Sequence, residues 1–164
     1  MTAVEIRRLT PDDWTLFRQV RLAALADSPE AFCSTLTREQ AYDAQQWRDW
    51  MRPASGLKVV AVNGEVPVGV VGAWVPPERG GAVELFSMWV SPTVRGRGVG
   101  TAFVTEVLDW ARGQRHRTVE LWVVEENGTA RRLYERFGFQ PTGETQPHPN
   151  DPRQKELLMC RTLG

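Results

Sequence analysis

The order of three features between Ala82 and Ala111 (AVELFSMWVSPTVRGRGVGTAFVTEVLDWA) constrains this chain more than anything else in it. Val83, Leu85, Phe86, Met88, Trp89 and Val90 are nearly continuous apolar residues, the pattern of a strand covered on both faces. Ser91-Pro92 ends that strand, because proline has no N–H for a ladder. From Phe103 onward Val104, Val107, Leu108, Trp110 and Ala111 recur at helical spacing, with Thr105, Glu106, Asp109 and Arg112 on the other side. Strand and helix are joined by Arg95-Gly96-Arg97-Gly98-Val99-Gly100.

A helix begins with N–H groups that have no intrahelical partner, at the positive end of its dipole. Glycines there remove the Cβ atoms that would hold an anion off those groups, and Arg95 and Arg97 add charge suited to phosphate oxygens. The turn therefore reads as a phosphate or pyrophosphate site. The bland alternative is a tight strand-to-helix turn with two solvated arginines.

At 164 residues the chain reads as one domain, residues 1–164, with enough length for a real core. Twenty basic residues balance twenty acidic ones, so no global charge points to nucleic acid or an anionic membrane. The N-terminus has no apolar signal-peptide core and no run approaches a membrane span, which makes the cytoplasm the expected location. Cys33 and Cys160 form no framework and sit in no metal-ligand spacing; free thiols and no metal are expected.

Along the chain, Val4 to Leu9 alternates like an opening strand, and Thr10-Pro11-Asp12-Asp13 starts a helix that carries Trp14, Phe17, Val20, Arg21, Ala24 and Leu25. Asp27-Ser28-Pro29 ends it, and a second helix is expected over Arg38 to Met51. Strands Leu57 to Val62 and Val66 to Val75 flank Asn63-Gly64, a strong hairpin signal. Thr118 to Val124 reads as a strand parallel to the one before the central helix, since a strand–helix–strand crossover gives that arrangement. A short helix follows with Ala130, Leu133, Tyr134 and Phe137 on one face, capped by Gly138. A strand from Phe139, a polar loop from Thr145 to Arg153 and a last strand over Glu156 to Arg161 complete a mixed α/β sheet with helices on both faces.

An anion at Arg97 to Thr101 would place the rest of its ligand along the C-terminal edges of the two parallel strands, where an extended molecule pairs with free strand amides. Arg95-x-x-Gly98-x-Gly100 after Met88-Trp89-Val90-Ser91-Pro92, then Val119 to Val124, Asn127, Ala130, Tyr134 and Gly138-Phe139, resembles the core of the GCN5-related N-acetyltransferase superfamily. The opening strand, the early helices and the Asn63-Gly64 hairpin fit the same architecture, so the resemblance covers nearly the whole chain. A P-loop lacks its Lys-Ser/Thr here, and Gly96-x-Gly98-x-Gly100 is not the dinucleotide spacing.

The resemblance implies a single-domain α/β fold with a mixed, mostly antiparallel sheet around a central parallel strand pair. It implies transfer of an acetyl group from acetyl-CoA to the primary amine of a small molecule or peptide, in a ternary complex. The N–H groups of Arg97, Gly98, Val99, Gly100 and Thr101 would hold the pyrophosphate, with Arg95 beside them; Met88 and Val90 would pair with the pantetheine arm, and Asn127 would reach the same arm while capping its helix. Tyr134 matches the family's general acid, and Glu84 aligns with the strand glutamate that serves some members as general base. Glu120 is a second carboxylate nearby, while His116 and His148 are poor candidates. The acceptor walls would come from the loops Ser28 to Thr37 and Thr145 to Arg153, with Trp47, Trp50, Trp74 or Trp89 at the pocket. Another acyl donor, an O-acceptor and a non-catalytic acyl-CoA-binding domain are the alternatives. A homodimer through the C-terminal strands or helix faces is an open expectation.

Overall fold

The computed structural model describes residues 3–32 and 34–164; Cys33, and with it the expectation for its thiol, lies outside the described residues. Seven strands form one sheet in the order β1-β2-β3-β4-β5-β7-β6. They are β1 (Val4–Arg8), β2 (Leu57–Asn63), β3 (Val66–Trp74), β4 (Val83–Val90), β5 (Thr118–Val124), β6 (Gln140–His148) and β7 (Asp151–Thr162). Every neighbouring pair is antiparallel except β4 and β5, the parallel pair expected on either side of the central helix. The α-helices among the described residues are α1 (Trp14–Asp27), α2 (Leu36–Gln40), α3 (Ala44–Trp50), α4 (Val99–Gly113) and α5 (Gly128–Arg136). No helix among them is long and apolar enough to cross a membrane.

The sheet separates two cores. On one face Phe103, Val104, Val107, Leu108 and Ala111 of α4 pack with Val59, Ala61, Val71, Val83 and Leu85. On the other, Phe17, Val20, Ala24 and Leu25 of α1 and Trp47 of α3 pack with Val60, Val62 and Val70. The alternation along β2, odd residues to one core and even ones to the other, is the period-two signature of a sheet covered on both sides.

Strand β4 departs from that regularity. Val83 and Leu85 face α4, but beyond Ser87 it is Met88 and Val90 that face α4, while Trp89 joins the α1 core. The switch follows from a bulge: pairing shifts by one residue between Phe86↔Gly72 and Trp89↔Val70, and Ser87 takes a positive φ of 56°. An extra residue flips the alternation. The apolar continuity of β4 therefore comes partly from the bulge. Glu84 and Phe86, on the face opposite α4, are only half-buried and border a cleft.

Two expectations are corrected. The helix expected over Arg38 to Met51 is two helices, because Asp43 adopts an extended backbone and starts α3 afresh. Its carboxylate accepts from Gln46 N at 2.8 Å and the Gln46 side chain accepts from Asp43 N at 2.9 Å, a reciprocal cap that favours a new helix start. The loop expected over Thr145 to Arg153 is a hairpin, with β6 running to His148 and β7 starting at Asp151. Its prolines are tolerated because β6 is the sheet edge, and Pro152 lies beyond Glu156, the last β7 residue paired with β5.

Candidate active site

The two parallel strands stay together only at their starts. β4 and β5 pair through Val83↔Val119 and Glu84↔Glu120, whereas β4 stays on β3 as far as Val90 and β5 stays on β7 as far as Val124. Past Glu84 the strands part and their inner edges face each other across a gap. The Ser91 N–H donates to Val68 O at 2.7 Å, which marks Ser91 and Trp89 as the residues turned toward β3. By alternation the main-chain groups of Val90 and Met88 turn into the gap.

At the end of that gap stands the start of α4. Buried Val94 and Val99 anchor the turn in the α4 core, leaving Arg95 to Gly98 exposed between them. Gly98 is the N-cap in a left-handed conformation with φ 83°, and no atom lies within 4 Å of where its Cβ would sit. The first intrahelical bond of α4 is Ala102 N to Gly98 O at 3.0 Å, so the N–H groups of Val99, Gly100 and Thr101 precede any intrahelical acceptor. Open space, glycine backbone and unsatisfied donors fit an oxyanion such as pyrophosphate.

Arg95 lies differently from a phosphate clamp. Its Nε donates to Val90 O at 2.9 Å and its Nη2 stands 3.5 Å from Asp27 Oδ2. Asp27 also accepts from Trp89 Nε1 at 2.9 Å and from the Ser28 hydroxyl; these bonds, with Arg95 adding less, hold its carboxyl below the usual carboxylate range. Arg95 thus fastens the turn to the end of β4 and of α1, and it occupies the Val90 carbonyl while the Val90 N–H stays directed into the gap. Arg97 is exposed on the turn itself.

Helix α5 brings Tyr134 in beside α4. Asn127 caps α5 by accepting from Ala130 N at 3.1 Å, filling the structural role expected of it. Gly138, at φ 85°, ends the helix, as its position implied. A Cβ on Gly100 would meet Leu133 Cδ2 at 3.2 Å, so that glycine lets α5 approach closely. Tyr134 is 6% exposed and meets Phe139 edge-to-face at 5.9 Å. Burial pushes its hydroxyl well above the ordinary tyrosine range, so it holds its proton at any physiological pH.

On the face opposite α4 the sheet borders a cleft of about 800 Å³. Glu84 lies in its wall and accepts from Trp74 Nε1 at 2.7 Å. Burial raises the Glu84 carboxyl above its ordinary value, against the lowering effect of the Trp74 hydrogen bond; Glu78 and Glu120 add to the rise and Arg79 opposes it. Glu120, its Cα partner on β5, is instead bound by Arg79 at 3.0 Å, and Arg79 also reaches Glu144 at 3.2 Å. His116 stands 3.1 Å from Gly81 O, and buried His148 accepts from Asn150 N at 3.1 Å; both serve local structure.

Of the tryptophans expected at the pocket, Trp50 and Trp74 line the cleft, while Trp47 and Trp89 are core residues. Trp122 lines it unannounced. The chain around Phe32 and Ser34 and the β6–β7 hairpin, through Gln146, both contribute walls. The Asn150 amide ties them together by donating to the carbonyls of Phe32 and, at 3.3 Å, Ser34. The sequence reading missed Glu39 and Ser87 as parts of the site and left Arg21 as one residue on a helical stripe. Arg21 Nε and Nη2 donate to the two Glu39 carboxylate oxygens at 2.8 and 3.0 Å, and its Nη1 donates to Ser87 Oγ at 2.8 Å, all beside the cleft. An arginine on an apolar helix face was the visible signal, since such a charge is buried only with a partner.

A model of the acetyltransferase (GNAT) family matches residues 20–139. An uncharacterized N-acetyltransferase of Methanocaldococcus jannaschii is 32% identical over 145 residues, which cover 82% of this chain and 60% of that protein. A mycothiol acetyltransferase of Beutenbergia cavernae is 32% identical over 118 residues, 72% of this chain and 38% of that protein. The chain thus spans three fifths or less of the length of these curated relatives. The structure of a Salmonella typhimurium acetyltransferase with its cofactor acetyl-CoA superposes with a TM-score of 0.76 at 18% identity, over 99% of this chain and 95% of that one, a likeness of fold. With the family model matching most of its length and the parted strand pair at its centre, the chain belongs to the acetyltransferase (GNAT) family.

Proposed function

We propose that the protein transfers an acetyl group from acetyl-CoA to a primary amine by direct attack within a ternary complex. The observation that carries this reading is the gap between β4 and β5, which runs from the open start of α4 to the cleft edged by Glu84. Acetyl-CoA, which the solved Salmonella typhimurium relative contains, would supply an activated acetyl group on a thiol leaving group. The N–H groups of Val99, Gly100 and Thr101 would hold its pyrophosphate, with Arg97 adding charge beside them. The Val90 and Met88 main-chain groups would order the amide-bearing arm as an added strand does.

An amine reaches the cleft as an ammonium and must lose a proton before it attacks. Glu84, raised by burial and still ionisable, takes that proton directly or through water. Tyr134, protonated throughout, gives one to the departing sulfur. The attacking nitrogen sheds its second proton as the amide forms, and that proton replaces the one Tyr134 gives to sulfur, so each transfer leaves one proton on Glu84 for release to solvent. Asn127 holds the start of the helix that carries Tyr134.

Thiol release from acetyl-CoA across a panel of amines tests the reading, with Tyr134→Phe as the diagnostic variant. The expected result is amine-dependent release by the unaltered protein. In the variant, turnover should fall about tenfold to a hundredfold, with CoA affinity within about twofold of normal. Unchanged turnover in Tyr134→Phe would remove it as the acid, and CoA binding without release against any amine would favour a non-catalytic acyl-CoA module.

A further inference from the structure

The cleft walls bear on which amine is accepted, and the step taken here rests on the transferase reading above. We propose that the acceptor is a primary amine carried on an aromatic or similarly flat apolar body, with no carboxylate beside the amine. Among the described residues, six of the side chains lining the cleft are aromatic: Phe32, Tyr42, Trp50, Trp74, Phe86 and Trp122. Three of them, Trp74, Phe86 and Trp122, stand on the sheet, and the other three close over from the helical side. The Arg21 guanidinium already lies over the Phe32 and Trp50 rings, and the remaining aromatic walls suit a planar body and attract an ammonium through the ring quadrupole.

The charges in the cleft point the same way. Glu39 is matched by Arg21 in a bidentate pair, and the third Arg21 bond goes to Ser87, so this arginine's charge is already answered within the fold. Glu84 and Glu156 are not matched in this manner. Their hydrogen bonds come from neutral donors, Trp74 Nε1 at 2.7 Å and Gln146 Nε2 at 2.9 Å. Glu156 is only 8% exposed, and a buried carboxylate that lacks a cation is costly unless one arrives. Strand pairing through β5 and β7 puts Glu84, Trp122 and Glu156 on one face of the sheet. Arg79 near Glu84 is spent on Glu120 and Glu144. Arg38, which is exposed, is the remaining cation among the described lining residues. A ligand carboxylate would thus enter a cleft whose uncompensated interior charges are negative, whereas an ammonium would be welcomed by both carboxylates and rings.

Matched pairs differing only in the α-carboxylate test this directly: phenethylamine with phenylalanine, and tryptamine with tryptophan, with ethanolamine as a polar control. Each is titrated by calorimetry into the CoA-loaded protein, and thiol release is followed separately. The decarboxylated member of each aromatic pair should bind about tenfold tighter or more, with ethanolamine weaker than both amines. Glu156→Gln should shrink the margin within each pair several-fold while leaving CoA affinity unchanged. Equal or tighter binding of the amino acids would overturn the proposal. So would ethanolamine matching tryptamine, or neither aromatic amine binding at millimolar concentration. Selective amine binding without thiol release would uphold the acceptor class while sinking the transferase reading, so the two failures are told apart.

Discussion

Burial moves Glu84 and Lys58 in opposite directions on the pH scale for one reason, that it disfavours the charged form of each. Glu84 is raised by burial and held back by the Trp74 indole, which donates to its carboxylate. Removing that donor should raise it further. For Trp74→Phe the acid limb of the kcat/KM profile is expected to shift to higher pH, because a base is active only above its pKa. A limb that stays in place would detach Glu84 from the proton transfer. Lys58 on β2 is lowered to about 8 by burial first and by the Arg21 charge second, while its ammonium donates to Ser55 O at 3.4 Å and lies 5.7 Å from the Phe17 ring centroid. The unfolded chain keeps that proton to higher pH, so between about 8 and 10.5 the unfolded state binds more protons and stability rises with pH. Below that window the penalty is constant. Lys58→Met should therefore stabilise the protein by about 3 kcal/mol at neutral pH and flatten the rise above pH 8. Urea midpoints measured across that range read both effects, and parallel curves for the two proteins would contradict them. Glu84 was legible in the sequence as an acid inside an apolar strand. Glu39 was not, because its burial depends on where α2 begins, and nothing in the helical spacing separated α2 from α3.

At the scale of elements, the turn before α4 was legible because glycine spacing, a stopping proline and an amphipathic stripe each have a local cause. Gly98 carries the sharpest consequence. Its left-handed φ of 83° disfavours any side chain, and the empty space over its Cα is where an anion would approach. Gly98→Val should cost about 1–2 kcal/mol of stability and weaken CoA binding about tenfold or more. Gly113→Ala, at the far end of the same helix with no atom within 4 Å of its Cβ position, should leave CoA affinity alone. Equal CoA affinity in all three proteins, by calorimetry, would place the pyrophosphate elsewhere. The bulge at Ser87 was beyond local reading: its effect is to change which face each later residue of β4 occupies, and a run of apolar residues looks the same with or without it. The β6–β7 hairpin was hidden for a related reason. Pro141, Pro147 and Pro152 mark loops in an interior strand, and only the edge position of β6 and the overhang of β7 make them acceptable.

Across the whole molecule, α4 and α5 lie on one side of the sheet and the cleft on the α1–α3 side, so under the proposed function the transfer passes through the gap between β4 and β5. One buried cluster joins the cleft side to that gap. Arg21 of α1 holds Glu39 of α2 in a bidentate pair and donates to Ser87 in the bulge, and its guanidinium lies over the Phe32 and Trp50 rings at 4.7 and 5.0 Å. Taking one partner away leaves a buried charge unanswered, so Glu39→Gln should cost about 3–5 kcal/mol. Replacing both, as Arg21→Met with Glu39→Leu, removes the charges together and should return stability to within about 1 kcal/mol of the unaltered protein. That double variant separates cohesion from positioning. A pair that serves cohesion alone predicts turnover as close to normal as the melting temperature. A pair that also fixes the bulge predicts a stable protein whose kcat falls about tenfold with little change in CoA affinity, because the Val90 and Met88 groups beyond Ser87 lose their fixed aim. Normal turnover in the stable double variant would show that β3 and β4 hold the bulge unaided.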